Sequence, residues 1–190
     1  WYIQAFNDTV RELHQPLFRN LDIAELGTGN ALPNSHFRDW DATTTPNKYS
    51  LTNASATADA DASNFRGGAK SAKVVATAGA GYMFISSNTY NKLLDLMGKT
   101  VSFRCWVKPE VTDDATLVIY TLQADGTAQT LTSTTSCPAG YWTLLELEDQ
   151  ELNDNLTEIH FRFVITTNTK YAYFDHARVT GRDVYEYMLP

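Results

Sequence analysis

The segment "VSFRCWVK", residues 101–108, alternates without a break. Val101, Phe103, Cys105 and Val107 are apolar, while Ser102, Arg104, Trp106 and Lys108 between them are polar or amphipathic. In extended backbone successive side chains point to opposite faces, so a period of two gives one face to a core and the other to solvent. The segment "EIHFRFVI", residues 158–165, repeats the pattern with Ile159, Phe161, Phe163 and Ile165 against His160, Arg162 and Val164. A helix would scatter either set around its circumference, so both segments are read as half-buried strands.

Working outward from these two, strands are expected at 71–76, 81–86, 100–108, 115–122, 127–133, 142–148, 158–166 and 171–180. Turn signals such as "ADGT", "CPAGY" and "TTNTK" separate them. Only "YNKLLDLMGK" has a helical pattern, a single turn stopped by Gly98. Strands that follow one another with no helix between them predict an all-β chain, an antiparallel sandwich of jelly-roll type. Residues 19–64 are rich in Gly, Pro, Asn, Thr, Ala and Asp. They are expected to form ordered connection with one or two strands, anchored by Tyr49, Leu51 and Phe65, with Trp40 in the core.

The amino-terminal segment differs from the rest. In "WYIQAFNDTVRELHQPLF" the residues Ile3, Phe6, Val10, Leu13 and Leu17 are spaced 3, 4, 3 and 4 apart, a heptad seam. Pro16 should end the helix near His14. Two heptads are too short to persist as a lone helix in water. The seam is therefore expected to oligomerise, the alternative being a helix lying on its own domain. The expected organisation is a helical stem over 1–17, a linker over 18–29, a β domain over 30–182 and a tail over 183–190.

The 190 residues suit one domain with an appendage, and the formal charge of −7 argues against a phosphate-neutralising surface. No apolar run approaches the roughly 20 residues that cross a bilayer as a helix. Neither nucleic acid nor membrane is an expected partner. Trp1 in place of Met implies a longer or processed product. Cys105 and Cys137 could pair in an extracellular protein, but two buried, idle thiols are the favoured reading.

Enzyme chemistry finds little support. The acids cluster as "DDA", "ELEDQEL" and "NDN" in solvated turns, not as a spaced carboxylate pair. There is no GxSxG or Cys–His signature. His14, His36, His160 and His176 show no ligand spacing. A binding surface is more promising. If the two alternating strands share a sheet, Arg104, Trp106, His160 and Arg162 form one solvent-facing patch, with an aromatic plane for a sugar ring and forked donors for its hydroxyls. The competing and favoured reading covers Trp106 with the connection over 41–65. Tyr82, Tyr90, Tyr120, Tyr141, Trp142 and Tyr171 sit at strand ends and turns, and any of them could serve as a platform.

The segments "NSHFRDW", "GGAKSAKVV", "KTVSFRCWVKP", "AGYWTLLEL", "LTEIHFRFVI" and "YAYFDHARVTG" occur in the order found in CBM4/9-like carbohydrate-binding modules. Residues 30–182 resemble that family, above all its phage virion versions in tail fibres and head decorations, where a short "RNL" linker precedes the domain as "QPLFRNL" does here. The resemblance implies a jelly roll, sugar or receptor binding on a sheet face or loop rim, and often a structural calcium. In many relatives an early "GFE" segment and a late "YID" or "YFD" segment bring carboxylates together. Asp175 matches the late position, but Arg38 stands at the early glutamate, with Asp39 one residue on. That shift turns a strand side chain to the opposite face. Asp39 and Asp175 are thus the candidate ligands, calcium is disfavoured, no cofactor is expected, and an Arg38–Asp175 ion pair is expected instead.

These readings together predict a non-enzymatic virion structural protein at the virion surface. It would be a capsid decoration, head fibre or tail fibre, homotrimeric through its stem, contacting other virion proteins and possible host surface polysaccharide. The alternative is a carbohydrate-binding module of a secreted polysaccharide-degrading enzyme, for which a Pro/Thr/Ser linker would be expected in place of heptads. A third is a bacterial surface adhesin domain.

Overall fold

In the computed structural model, which describes residues 29–41 and 44–182, the alternating segments are strands of two antiparallel sheets. The expected stem, with Ile3, Phe6, Val10, Leu13 and Leu17, lies outside the described residues, as do most of the linker and the tail. Ala31 begins the compact unit that holds these strands.

The first connection contributes four strands: β1 (Trp40–Asp41), β2 (Thr45–Pro46), β3 (Ser50–Thr52) and β4 (Ala54–Asp59). Then follow β5 (Ser71–Ala76), β6 (Gly81–Ser86), β7 (Thr100–Pro109), β8 (Ala115–Gln123), β9 (Ala128–Thr132), β10 (Thr143–Glu151), β11 (Leu156–Ile165) and β12 (Tyr171–Arg182). One sheet runs β10-β7-β12-β5-β4 and the other β3-β6-β11-β8-β9, while β1 and β2 form a short ribbon. The helical pattern before Gly98 is a 3-10 turn, Asn91–Leu96, that buries Leu93 and Leu96. Gly98 follows with φ +67°, a backbone conformation in which glycine has no Cβ penalty.

The core lies between the sheets, where the alternation places it. Val101, Phe103, Cys105 and Val107 of β7 and Ile159, Phe161, Phe163 and Ile165 of β11 are all fully buried. Phe103 meets Phe161 edge-on with ring centroids 5.2 Å apart and Phe163 at 5.4 Å, and Phe163 meets Phe174 of β12 at 5.4 Å. These T-shaped contacts add to the area that each ring buries. Both thiols are free and buried, Cys105 against the Asp175 carbonyl and Cys137 against the Ala115 carbonyl.

Two local devices complete the sandwich. Asn53, at φ +49°, is the single residue between β3 and β4, so the chain changes sheets there. Gly81 packs so closely on the Asn53 carbonyl that a Cβ would have no room. In β12 the pairing steps from Asp175↔Trp106 to Arg178↔Arg104, which leaves one extra residue on β12. This bulge changes the inward parity from Ala172 and Phe174 to Ala177 and Val179, and it puts His176 at φ +52°. Bulges re-aim side chains in this way.

Candidate functional site

The sandwich corrects one expectation. Because the apolar faces of β7 and β11 pack against each other, their polar faces point apart. Arg104 and Trp106 therefore lie on the outer face of one sheet, and His160 and Arg162 on the outer face of the other. The four do not form one patch, so the two faces are separate candidates.

On the β7 face the segment over 60–70, between β4 and β5, folds across the strands. Lys108 Nζ donates to the Ser63 carbonyl at 3.0 Å and to Asn64 Oδ1 at 3.2 Å. Asn64 Nδ2 donates to the Tyr173 hydroxyl at 3.2 Å. The Arg66 guanidinium covers the Trp106 ring at 3.8 Å from its centroid, a cation–π contact. Trp106 is half-buried beneath this segment. The covered reading expected a lid from residues 41–65; the ring on Trp106 is capped by Arg66, one residue beyond that range. Farther along the same face, Arg104 pairs with Glu146 at 3.2 Å and with Glu148. Arg104 helps to line a depression of about 340 Å³ with Ser102, Glu148, Asp149, Arg178 and Thr180. Its guanidinium is thus already engaged by acids.

Asp175, opposite Trp106 in the register, is fully buried and held chiefly by backbone donors. Its Oδ2 accepts the backbone N–H of Arg66 at 2.7 Å and of Gly67 at 3.2 Å, and its Oδ1 accepts that of His176 at 2.8 Å. Among the described residues no Arg38–Asp175 ion pair forms; Arg38 is exposed and lays its guanidinium over Gly68. Backbone donors already satisfy the carboxylate, which removes the need for the arginine. Asp39 is exposed and holds Asn34 through its backbone. The neighbour that Asp175 does gain is a pair of imidazoles. His36 and His176 meet edge-on with centroids 4.3 Å apart. One ligating atom from each of His36, Asp175 and His176 lies within 4.8 Å of the others. Burial and then the charges of His176 and Arg38 lower the pKa of His36, with Asp175 opposing them.

The other outer face carries more aromatic surface. The register sets His160 of β11 beside Ser86 of β6 and Tyr120 of β8, Arg162 beside Phe84 and Val118, and Val164 beside Tyr82 and Thr116. The His160 ring stacks on Phe84 at 5.0 Å and lies 5.3 Å from Tyr120. The Arg162 guanidinium sits 4.0 Å from the Tyr120 centroid and 5.0 Å from that of Tyr82. Its Nη2 lies 3.2 Å from His160 Nδ1, while its Nε is shut off from solvent with no hydrogen-bond partner. His160 Nε2 is 2.8 Å from Glu158 Oε1. Burial lowers the pKa of His160 despite that acid, and Arg162 adds to the lowering. The result is a ridge of partly exposed rings around one fixed guanidinium.

Sequence reasoning grouped His160 and Arg162 with the β7 residues but did not join Tyr82 and Tyr120 to them, and it missed Phe84, Arg66 and the His36–His176 pair. Phe84 was findable: "GYMFIS" puts it on the Tyr82 side of its strand. The imidazole pair had a signal too, since each histidine neighbours a position that the family brings together from the two ends of the domain.

No protein-family model and no curated protein matches the chain. Solved structures do. The CBM22-1 xylan-binding domain of Xyn10C from Paenibacillus barcinonensis superposes with a TM-score of 0.60 at 13% identity, over 77% of this chain and 90% of that one. The C-terminal family 22 carbohydrate-binding module of Clostridium thermocellum Xyn10B gives 0.59 at 13% identity, over 80% and 94%. The enzymatically active domain of tailspike protein 4 of bacteriophage CBA120 gives 0.58 at 13% identity, over 80% of this chain and 21% of that one. The fold is thus that of carbohydrate-binding-module jelly rolls. Neighbours such as these family 22 modules and the phage tailspike support a carbohydrate-binding-module jelly roll, but not specifically the CBM4/9 type named on sequence resemblance.

Proposed function

We propose that this chain is a non-catalytic glycan-binding domain of a phage virion structural protein, and that it holds sugar on the outer face of β6, β11 and β8. The observation that carries the glycan reading is the ridge of Tyr82, Phe84, His160 and Tyr120 around Arg162. Aromatic planes stack on the C–H faces of sugar rings, and a guanidinium with unused donor capacity serves hydroxyls or a carboxylate. The β7 face suits this role less well, because Arg66 already occupies the face of Trp106 and acids hold Arg104.

The virion assignment rests on the heptad seam of residues 1–17, on the order of motifs shared with virion modules, and on the likeness to a tailspike domain. In this reading the stem trimerises the chain, other virion proteins anchor it, and host surface polysaccharide is the ligand. A second reading, a module of a secreted polysaccharide-degrading enzyme, is favoured by one observation: structural neighbours include xylan-binding domains and a module attached to an endo-1,4-beta-D-xylanase. An array of bacterial surface polysaccharides and plant glycans, probed with wild type and with Tyr82→Ala and Tyr120→Ala, tests both. Binding to a bacterial polysaccharide that both variants lose supports the proposal. Binding to xylan supports the second reading, and binding that survives both substitutions overturns the assigned face.

A further inference from the structure

We infer that His36, His176 and Asp175 form a binding site for a divalent transition ion of the zinc class, in place of the calcium that the resemblance implies. The donor set does not fit calcium. A hard ion of that kind needs six to eight oxygens. Here the carboxylate of Asp175 already accepts three backbone N–H groups, from Arg66, Gly67 and His176, out of about four acceptor positions. Asp39 does not join the cluster, so the site offers too few oxygens for calcium. Two imidazoles and one carboxylate oxygen are instead the donors that zinc and its neighbours in the series prefer.

Two nitrogens of the cluster are placed to take a ligand. His36 Nδ1 and His176 Nε2 are both closed off from solvent, and neither has a hydrogen-bond partner. Buried polar atoms are normally satisfied, so a pair of orphaned nitrogens in one cluster calls for a partner, and a bound ion supplies one.

The backbone holds the cluster together before any ion arrives. The N–H of Ala177 donates to the Ser35 carbonyl at 2.9 Å, which joins the residues next to His176 and His36. The bulge in β12 turns His176 into the left-handed region and toward this junction. Gly67 leaves room for the ring: a Cβ there would sit 2.5 Å from His176 Nε2. A tetrahedral ion with bonds of about 2.0–2.1 Å places its ligand atoms about 3.3 Å apart. The three ligating atoms lie within 4.8 Å, so small side-chain rotations close the site. The His176 side chain is 39% exposed, so the cluster sits at the edge of the domain although the ligating nitrogens themselves face inward.

Calorimetric titration of the full chain with zinc chloride and with calcium chloride, together with thermal melts in each salt, tests the inference. The variants are His36→Ala and His176→Asn, the latter chosen because asparagine tolerates the left-handed backbone. The expected result is one zinc bound per chain, a higher Tm with zinc but not with calcium, and at least tenfold weaker zinc binding in both variants. Cobalt added to wild type should give the visible absorption of a tetrahedral N/O site, a readout that does not depend on how well a variant folds. Absence of zinc binding, zinc affinity undiminished in both variants, calcium binding tighter than zinc, or a cobalt spectrum of a purely hydrated octahedral ion would each overturn it.

Discussion

Truncating Trp106 to Ala separates the two roles available to that ring. In the structure the indole is half-buried on β7, whose neighbours in the sheet are β10 and β12, and it is capped by Arg66 at 3.8 Å. Fully buried Trp→Ala changes cost about 3–5 kcal/mol. This site lies on an outer face and keeps some exposure, so a packing loss of about 2–2.5 kcal/mol is expected. The lost cation–π contact adds about 0.5–1 kcal/mol at an exposed site. The sum, about 3 kcal/mol, corresponds to a fall in Tm of about 6–12 °C for a domain of this size. Urea denaturation followed by circular dichroism gives the free energy, and an oligosaccharide titration of the same variant gives the binding. The expected outcome is a destabilised domain that still binds sugar. A variant as stable as wild type that no longer binds would refute the reasoning and make Trp106 the platform.

Gly81→Ala should destabilise by about 1–3 kcal/mol, because its Cβ would strike the Asn53 carbonyl where the chain passes between sheets, and a thermal melt checks it. His160 sets a pH dependence: the unfolded chain takes up its proton near pH 6.5, whereas burial holds the folded pKa lower. The unfolded state therefore binds more protons in that window, and stability should fall as pH drops from about 6.5 through the folded pKa. Denaturation at a series of pH values should show this decline, and a shallower one in His160→Gln. Replacing Phe6 and Val10 with Asp should dissociate the oligomer and leave the sandwich folded; wild type sedimenting as a monomer contradicts the stem.

Sheet membership and register, not strand existence, separated what the sequence could reveal from what it could not. Strands β5 and β6 fall where the alternation predicts them, because their apolar faces are dense and turn residues bound them. The six-residue strand β4, "ASATAD", was hidden by small residues whose composition reads as loop, and backbone pairing with β5 makes it a strand. The two faces of β7 and β11 were readable singly, but a period of two carries no information about which sheet a strand joins. That is why Trp106 and His160 were grouped and are in fact on opposite sides. Likewise His36 and His176 lie far apart in the chain, and backbone bonds from Ala177 to Ser35 and from Ala31 to Val179 bring their segments together.

The glycan-binding claim is tested most directly by mapping backbone amide chemical shifts while a bound oligosaccharide from the array is titrated in. The account predicts that the perturbed amides cluster on β6, β8 and β11 around Tyr82, Tyr120 and Arg162, with little change on β7 and β10. Shifts confined to the β7 face or to the loop rims, or no oligosaccharide that perturbs any amide, would contradict it.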